Sequence, residues 1–373
     1  MEYVQERITT LHAFGEAGAS GVEHPPLDRV GVIVPLSGRD CESPAADRVF
    51  STLAAVDPGH VIVPVDAPTE RISRIVDWID GFALDVTVLW CNADSLGRYL
   101  RDHGLGEPTG KGRDVWLALG AMLDRPPIEY VVIHDADARS YSGEVVRRLV
   151  WPLAAGHGAT KGYYARIEDR CLYGRLFRLL YAPLLRAIGE GHPAPIVRYL
   201  SAFRYALAGE IAMTTAVAGS VRPHPGWGFE TGMLGEWFDH VGRAGTAQVD
   251  LGVHRHDHRD VDGPAGLSSM AEAVASAVFR SLERNGLAPD YDDLRGRYRE
   301  CGRTLVEQYA ADARFNGLSF DAASEIDQVE RYAGAIQPPG PDPRLPAWES
   351  TAVDASAVLE HSAEAIEPGR PRG

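Results

Sequence analysis

The sequence lacks features typical of membrane proteins, secreted proteins and nucleic-acid binders. No apolar run reaches the roughly 18 to 20 residues that span a bilayer, and residues 1–7 lack the basic start and apolar stretch of a signal peptide. The formal net charge is −15, whereas general nucleic-acid binding requires a basic face. We therefore expect a cytoplasmic protein with no transmembrane segment and no nucleic-acid partner.

Cysteine and lysine are both scarce. The four cysteines are far apart in the sequence and form no CxxC pair, which favours free thiols over disulfides or a zinc site. Among 37 basic residues, only Lys111 and Lys161 are lysines. Lys111 lies in a candidate site segment, whereas the sequence suggests no role for Lys161.

The first 133 residues alternate between strand-like and helix-like segments. Short, β-branched apolar runs predict strands at residues 30–35, 61–64, 86–90 and 130–133. Helical patterns separate them, for example at residues 72–82 and 114–123. This alternation predicts a parallel α/β sheet, in which ligands bind beyond the carboxyl ends of the strands.

The rest of the chain divides by composition. Residues 1–28 are polar and predict a loose arm with one short helix, and residues 29–260 form the α/β domain, including a later strand at 248–251. Residues 261–336 are predicted to be a helical C-terminal region, with Met270, Val274, Val278 and Leu282 on one buried face. Residues 337–373 are rich in proline and predict a disordered tail.

Two aspartates, Asp135 and Asp137, follow the strand at 130–133 directly. Residues i and i+2 of an extended chain point the same way, so both carboxylates can face one site. Paired carboxylates suit Mg²⁺ or Mn²⁺, which in turn neutralise a diphosphate leaving group. The alternative is a strand-ending turn, in which aspartate is common.

Three histidines alternate at His254, His256 and His258. On an extended segment they would share a face and could reach a metal ion. The alternative is a solvated polar loop.

Two glycine-rich segments are candidate ligand-binding loops. Gly110-Lys111-Gly112 opens a predicted helix, where the lysine and the helix N-terminus favour a phosphate. The segment at 225–232 is glycine-rich and aromatic, and its Glu230 could accept hydrogen bonds from a sugar. The alternative for both segments is a purely structural role, as an ordinary loop or as the start of a helix.

Arg175 and Arg178 lie about one helical turn apart and could clamp a phosphate or carboxylate. For Arg178 we favour a solvated helix edge instead.

In order along the chain, these segments resemble those of the glucosyl-3-phosphoglycerate synthases and their mannosyl relatives. The matching segments are GKG at 110–112, DAD at 135–137, AGE at 208–210, GWGFETGML at 226–234 and QVDLGVHRH at 248–256. The resemblance implies a GT-A fold, which is a Rossmann-like nucleotide-diphospho-sugar transferase fold. It also implies a metal-dependent retaining glycosyltransferase.

The resemblance further implies roles for individual residues in donor binding. Pro35, Leu36 and Ser37 would line the nucleotide base, and Asp135 would approach the ribose. Lys111 would lie near the phosphates, with the backbone from Leu207 to Gly209 beside the sugar.

The same resemblance assigns the metal and the catalytic residues. Asp137 and His256 would bind Mg²⁺ or Mn²⁺, and Glu230 would hold the hydroxyls of the donor sugar. Asp137 and Glu230 are thus the expected catalytic residues.

The acceptor side departs from the family pattern. Arg175 would bind the acceptor phosphate, but Phe177 and Arg178 stand where relatives carry threonine and glutamate, and His258 replaces an asparagine. We expect transfer from a UDP-glucose or GDP-mannose type of donor to a small anionic acceptor, preferably 3-phosphoglycerate, by a homodimer. A different phosphorylated acceptor, a nucleotidyltransferase and an inactive sugar-nucleotide-binding relative are the alternatives.

Overall fold

The computed structural model describes residues 6–12, 26–106, 109–255 and 264–366. The strands are β1 Thr9–Leu11, β2 Val30–Ile33, β3 Leu36–Ser37, β4 His60–Asp66, β5 Val86–Trp90, β6 Tyr130–Ile133, β7 Ala159–Ala165, β8 Ile167–Glu168, β9 Cys171–Leu172, β10 Ile211–Thr214 and β11 Thr246–Val253. The helices are α1 Pro44–Val56, α2 Thr69–Asp80, α3 Asp94–Asp102, α4 Lys111–Leu123, α5 Glu144–Ala154, α6 Ala182–Gly191, α7 Pro195–Leu200, α8 Thr215–Ser220, α9 Phe229–His240, α10 Pro264–Arg284, α11 Tyr291–Phe315, α12 Ala322–Tyr332 and α13 Ala355–Ile366.

Nine strands form one sheet in the order β1-β11-β7-β10-β6-β2-β4-β3, with β5 paired to β4. All of its pairings are parallel except those of β10, which runs antiparallel to β6 and β7. The carboxyl ends of β2, β6, β7 and β11 therefore lie along the edge at which β10 begins. The predicted strands all belong to this sheet, and the predicted α/β fold class is confirmed.

The central strands are apolar on both faces because helices cover both sides of the sheet. All four residues of β2 are buried, as are six of the seven residues of β4. Helix α1 shows how one covering element begins: the side chain of Ser43 accepts a hydrogen bond from the backbone N–H of Ala46. Its buried stripe includes Val49, Phe50 and Leu53, which pack into the core.

The predicted helical region is present as α10, α11 and α12. Helix α10 packs on α9, and α11 packs on α6 and α12. Val274, Val278 and Leu282 are each at most 1% exposed, as expected for one buried face of α10, whereas Met270 is only partly buried. This layer brings α12 close to the segment that follows β9.

The prediction of a disordered C-terminal tail is wrong for residues 337–366. Leu345 is 2% exposed, and the Trp348 indole stacks on Trp116 with ring centroids 4.5 Å apart. Helix α13 then packs on α3, α4 and β5, where Ser362 Oγ accepts a hydrogen bond from the backbone N–H of Trp90. Prolines restrict the backbone between these contacts. A proline-rich composition does not by itself distinguish such an ordered segment from a disordered one.

The prediction of a loose N-terminal arm is wrong for residues 6–12. Strand β1 pairs in parallel with Ala247–Val249 of β11, and Ile8 is 4% exposed. The pairing covers backbone groups of β11 that an edge strand would leave unpaired. Among the described residues, no helix is both long enough and apolar enough to span a bilayer.

Candidate active site

The predicted aspartate pair lies where β6 ends at the carboxyl edge of the sheet. Asp135 and Asp137 are both half-buried. Asp135 Oδ1 is 2.5 Å from the Lys111 Nζ. Gly209 packs directly against this carboxylate, because a Cβ at Gly209 would lie 2.4 Å from Asp135 Oδ2. A side chain at position 209 would therefore require the loop that leads into β10 or the Asp135 carboxylate to move.

Lys111 is the first residue of α4, so the predicted helix start at GKG is confirmed. Gly110 adopts a φ of 126°, which glycine tolerates. The backbone N–H of Arg113 donates to the carbonyl of Pro225 at 3.0 Å. A Cβ at Gly112 would lie 2.0 Å from the His224 carbonyl oxygen. Helix α4 is thus fixed at its N-terminus against the loop that precedes α9.

Glu230 lies in the first turn of α9, opposite Lys111. Its Oε1 accepts a hydrogen bond from Lys111 Nζ at 2.9 Å, and its side chain is 14% exposed. Burial lowers the pKa of Lys111, but Asp135 and Glu230 outweigh it and hold that pKa well above its ordinary value. The lysine is therefore a permanent cation between two carboxylates, at the meeting point of two helix N-termini that favour anions.

Two buried charged residues beside this cluster were not assigned a role from the sequence. Lys161 on β7 and Glu210 at the entry to β10 are each 1% exposed. Lys161 Nζ donates to the Ala208 carbonyl at 2.6 Å. The scarcity of lysine, with only two in the chain, was the available signal for Lys161.

The segment after β11 returns to the end of β6. The backbone N–H of Arg139 donates to the Arg255 carbonyl at 2.7 Å, and the N–H of Arg255 donates to Ser140 Oγ at 3.0 Å. His254 is buried and stacks on Tyr164. His256 and His258 lie outside the described residues. In the described part of the chain, no group of three or more His, Cys, Asp or Glu side chains is arranged to hold a metal ion.

Pro35, Leu36 and Ser37 follow β2 at the same edge. Leu36 is 2% exposed and packs in the core. Pro35 and Ser37 are partly exposed.

Arg175 lies at the start of a π-helical segment, Leu176–Tyr181, a geometry that is frequent at functional sites. Gly174 has a φ of 80°, and a Cβ there would contact the Tyr205 ring. Half of the Arg175 side chain is exposed, and its Nε is 3.7 Å from Glu325 Oε1. The Phe177 ring meets Tyr205 edge-on, with centroids 5.3 Å apart.

The prediction of a solvated helix edge for Arg178 is wrong. Its guanidinium donates to both carboxylate oxygens of Glu325, at 2.6 and 2.7 Å, and both side chains are at most 6% exposed. It also donates to the carbonyls of Leu172 and Tyr173 and lies over the Tyr309 ring. The partner lies 147 residues away, which is why local periodicity did not reveal the pair.

No protein-family model matches the chain. Among curated proteins, the glucosyl-3-phosphoglycerate synthase of Methanococcoides burtonii is 32% identical over 367 residues, which cover 92% of this chain and 90% of that protein. The enzyme of the same name from Persephonella marina is 30% identical over 356 residues, covering 88% and 87%.

Solved structures show the same architecture. Glucosyl-3-phosphoglycerate synthase from Mycobacterium tuberculosis, in complex with Mn²⁺, UDP-glucose and phosphoglyceric acid, matches with a TM-score of 0.55 at 22% identity. The match covers 77% of this chain and 90% of that one.

The fold and the sequence relatives together define a glycosyltransferase of the GT-A fold. More particularly, the chain belongs to the glucosyl-3-phosphoglycerate synthase family, because it matches curated members at 30–32% identity over about nine-tenths of its length.

Proposed function

We propose that this protein transfers glucose from UDP-glucose to 3-phosphoglycerate with retention of anomeric configuration, in the presence of Mg²⁺ or Mn²⁺. The observation that carries the proposal is the cluster of Lys111, Asp135 and Glu230 at the carboxyl edge of the sheet. The mycobacterial glucosyl-3-phosphoglycerate synthase of the same fold was solved with Mn²⁺, UDP-glucose and phosphoglyceric acid.

The residues of this cluster are the proposed binding site for the sugar-nucleotide donor. Lys111 supplies a permanent positive charge for the diphosphate, and Glu230 accepts hydrogen bonds from the sugar hydroxyls. The backbone of residues 207–209 lies beside the sugar, and Asp135 lies beside the ribose. Pro35, Leu36 and Ser37 line the base through backbone and partly exposed atoms.

The metal site is proposed at Asp137 and His256. Carboxylate oxygens suit Mg²⁺ and Mn²⁺, and the residue before His256 is hydrogen-bonded to Arg139 and Ser140, just beyond Asp137. The chain just after Asp137 is therefore joined to the residue that precedes His256, which supports a divalent ion held by this carboxylate and this imidazole. When bound, this ion supplies charge that stabilises the departing diphosphate.

The reaction requires one bond to break and one to form. The bond from the anomeric carbon to the diphosphate oxygen breaks, and the acceptor hydroxyl oxygen bonds to that carbon on the same face. The hydroxyl proton passes to the departing phosphate oxygen, so no enzymic base is needed. Glu230 orients the sugar during this exchange, and Lys111 stabilises the developing negative charge.

Arg175 is the proposed binding residue for the acceptor phosphate, because a guanidinium matches phosphate oxygens in pairs. Its side chain is half-exposed, two residues before Phe177, whose ring packs edge-on against Tyr205. Arg178 cannot take over the contact made by the family threonine and glutamate, since it is buried against Glu325. His258 is a further proposed acceptor contact.

The decisive experiment incubates the protein with UDP-glucose, Mn²⁺ and 3-phosphoglycerate and measures UDP release and product mass. GDP-mannose replaces UDP-glucose in a parallel reaction. NMR of the product determines the anomeric configuration. Failure to release UDP in the presence of 3-phosphoglycerate contradicts the proposal.

A different anionic acceptor is the second candidate, because Phe177 presents an aromatic ring where relatives have a hydroxyl. Glycerate, glycerol phosphate and larger sugar phosphates are compared with 3-phosphoglycerate, using the wild type and Arg175→Ala. Strong glycosylation of a neutral acceptor that survives Arg175→Ala excludes the phosphate-binding role of Arg175.

We also propose that the protein is a cytoplasmic homodimer. Light scattering during size-exclusion chromatography measures the molar mass, and 40.5 kDa would indicate a monomer instead.

A further inference from the structure

Lys161 lies at a buried position, where a lysine lowers the stability of the fold unless its charge is compensated. It lies in the middle of β7, between β10 and β11, and is 1% exposed. A buried ammonium is strongly destabilising unless it is hydrogen-bonded and balanced by negative charge. Every basic residue except Lys111 and Lys161 is an arginine. Lys161 interacts electrostatically with Lys111, Asp135 and Glu230, so both lysines of the chain belong to one charged cluster.

The hydrogen bond of Lys161 fixes a specific piece of backbone. Its Nζ donates to the carbonyl of Ala208 at 2.6 Å. The next residue, Gly209, is packed so closely on the Asp135 carboxylate that it has no space for a Cβ. A shift of this loop would therefore displace Asp135 and, through it, Lys111.

The charge of Lys161 acts on two carboxylates. Burial lowers its pKa to about 8, although Glu230 and Glu210 raise it. Glu210 is itself 1% exposed, and both of its carboxylate oxygens are buried without a hydrogen-bond partner among the described residues. His254 Nε2 lies 3.6 Å from Glu210 Oε1. A cation close to Glu210 offsets the burial of that carboxylate.

We propose that Lys161 is a positioning residue of the donor site, which holds the backbone of residues 207–209 against Asp135 and balances the buried charges of Glu210 and Glu230. This inference rests on the proposed donor function of that cluster. Lys161 acts through the loop and the carboxylates, and not by direct contact with the reacting atoms.

The test compares Lys161→Met, which keeps an unbranched side chain of similar length, with Thr246→Val. Thr246 is fully buried on the neighbouring strand, and its hydroxyl donates to the Gly242 carbonyl at 2.8 Å. It lies at the opposite end of β11 from the site, so its loss perturbs the same pair of strands without touching the donor loop.

Melting temperature, kcat, KM for UDP-glucose and the Kd of UDP are measured for both variants. Lys161→Met should lower kcat about 10- to 100-fold, since a small displacement of a positioned group costs about that much. The Kd of UDP should change less than about threefold. Thr246→Val should retain kcat within about twofold. Unchanged kcat in Lys161→Met, or equal losses in both variants, overturns the proposal.

Two further measurements keep the test decisive if Lys161→Met does not fold. Gly209→Ala should reproduce the loss of kcat with Lys161 intact, because it forces the loop away from Asp135. Wild-type protein labelled with ¹³C-lysine has only two lysine signals, and the Lys161 signal should shift more with UDP-glucose than with UDP. An unmoved signal in a protein that does release UDP contradicts the role of Lys161. Absence of UDP release from the wild type contradicts the proposed function instead.

Discussion

Lys111 and Glu230 show how a buried charge is stabilised by residues that are far apart in the sequence. They are 119 residues apart, and each lies in the first turn of its helix at the same edge of the sheet. The carboxylates of Glu230 and Asp135 keep Lys111 protonated against the cost of burial. At the proposed donor site, a sugar nucleotide would therefore meet a preorganised cation and a preorganised hydrogen-bond acceptor.

Substitution of Glu230 tests the residue proposed to accept hydrogen bonds from the sugar. Glu230→Gln keeps the shape but removes a charge-assisted hydrogen bond worth about 1.5–3 kcal/mol. We expect kcat with UDP-glucose to fall about 10- to 100-fold, while calorimetry finds the Kd of UDP little changed. A loss of UDP binding would show that Glu230 contacts the nucleotide and not the sugar.

Substitution of Asp137 tests the proposed metal-binding site. Asp137→Ala should abolish most activity with an unchanged melting temperature, because it removes a ligand to the ion that neutralises the leaving group. Asp77→Ala, at an exposed position on α2, is the control and should be fully active. Wild-type activity that persists undiminished in EDTA is incompatible with the metal site.

At the scale of elements, α12 and the π-helical segment are joined by Arg178 and Glu325. The pair is almost fully buried, and its two short hydrogen bonds connect the α/β part to the C-terminal helices. Glu325 also lies 3.7 Å from Arg175 Nε. The position of Arg175, the proposed acceptor-binding residue, is thus linked to the packing of α12.

Breaking this pair should be strongly destabilising. Arg178→Met leaves the Glu325 carboxylate buried with its main partner removed, and we expect a loss of about 3–5 kcal/mol in the free energy of unfolding. Urea denaturation measures it. The double variant Arg178→Met/Glu325→Met should recover much of the loss. Arg74→Met, which removes an exposed ion pair with Glu42, should barely move the midpoint.

At the scale of the whole molecule, residues 337–366 connect distant parts of the fold. Trp348 packs on Gly120 and stacks on Trp116, and each indole N–H donates to a backbone carbonyl of the other segment. Ser95 Oγ and the N–H of Trp90 donate hydrogen bonds to His361 and Ser362 within α13, 266 and 272 residues further along the chain.

Removal of this contact should weaken the entire fold. Trp348→Ala deletes a large packed ring, and we expect a loss of about 3 kcal/mol in the free energy of unfolding. Phe315→Ala serves as the matched aromatic control, since Phe315 is 91% exposed and its loss should cost under about 0.5 kcal/mol. Equal effects in thermal or urea denaturation would contradict a structural role for residues 337–366.

The sequence predicted those features that are encoded locally. The apolar runs that became β2, β4, β5 and β6 are continuous and β-branched, and the fold class followed from their alternation with helices. Lys111, Asp135 and Glu230 could be named from motifs at strand and helix ends.

The missed features depend on partners that are distant in the sequence. Arg178 has helical spacing and an ordinary charge, and only Glu325 makes it a buried residue. Strand β7 contains Lys161 and lacks a clean apolar pattern, so its place in the sheet depends on β10 and β11. The proline-rich tail is ordered because Trp116, Gly120 and β5 provide a surface for it.

The position of α13 has a consequence for synthesis on the ribosome. Elements α3, α4 and β5 are complete by residue 123, but the helix that covers them ends at Ile366. Throughout the intervening elongation, the apolar face beneath α13 has no partner within the nascent chain. Such transiently exposed surfaces promote aggregation. Production of this protein should therefore depend on chaperone capacity more than its final stability would suggest.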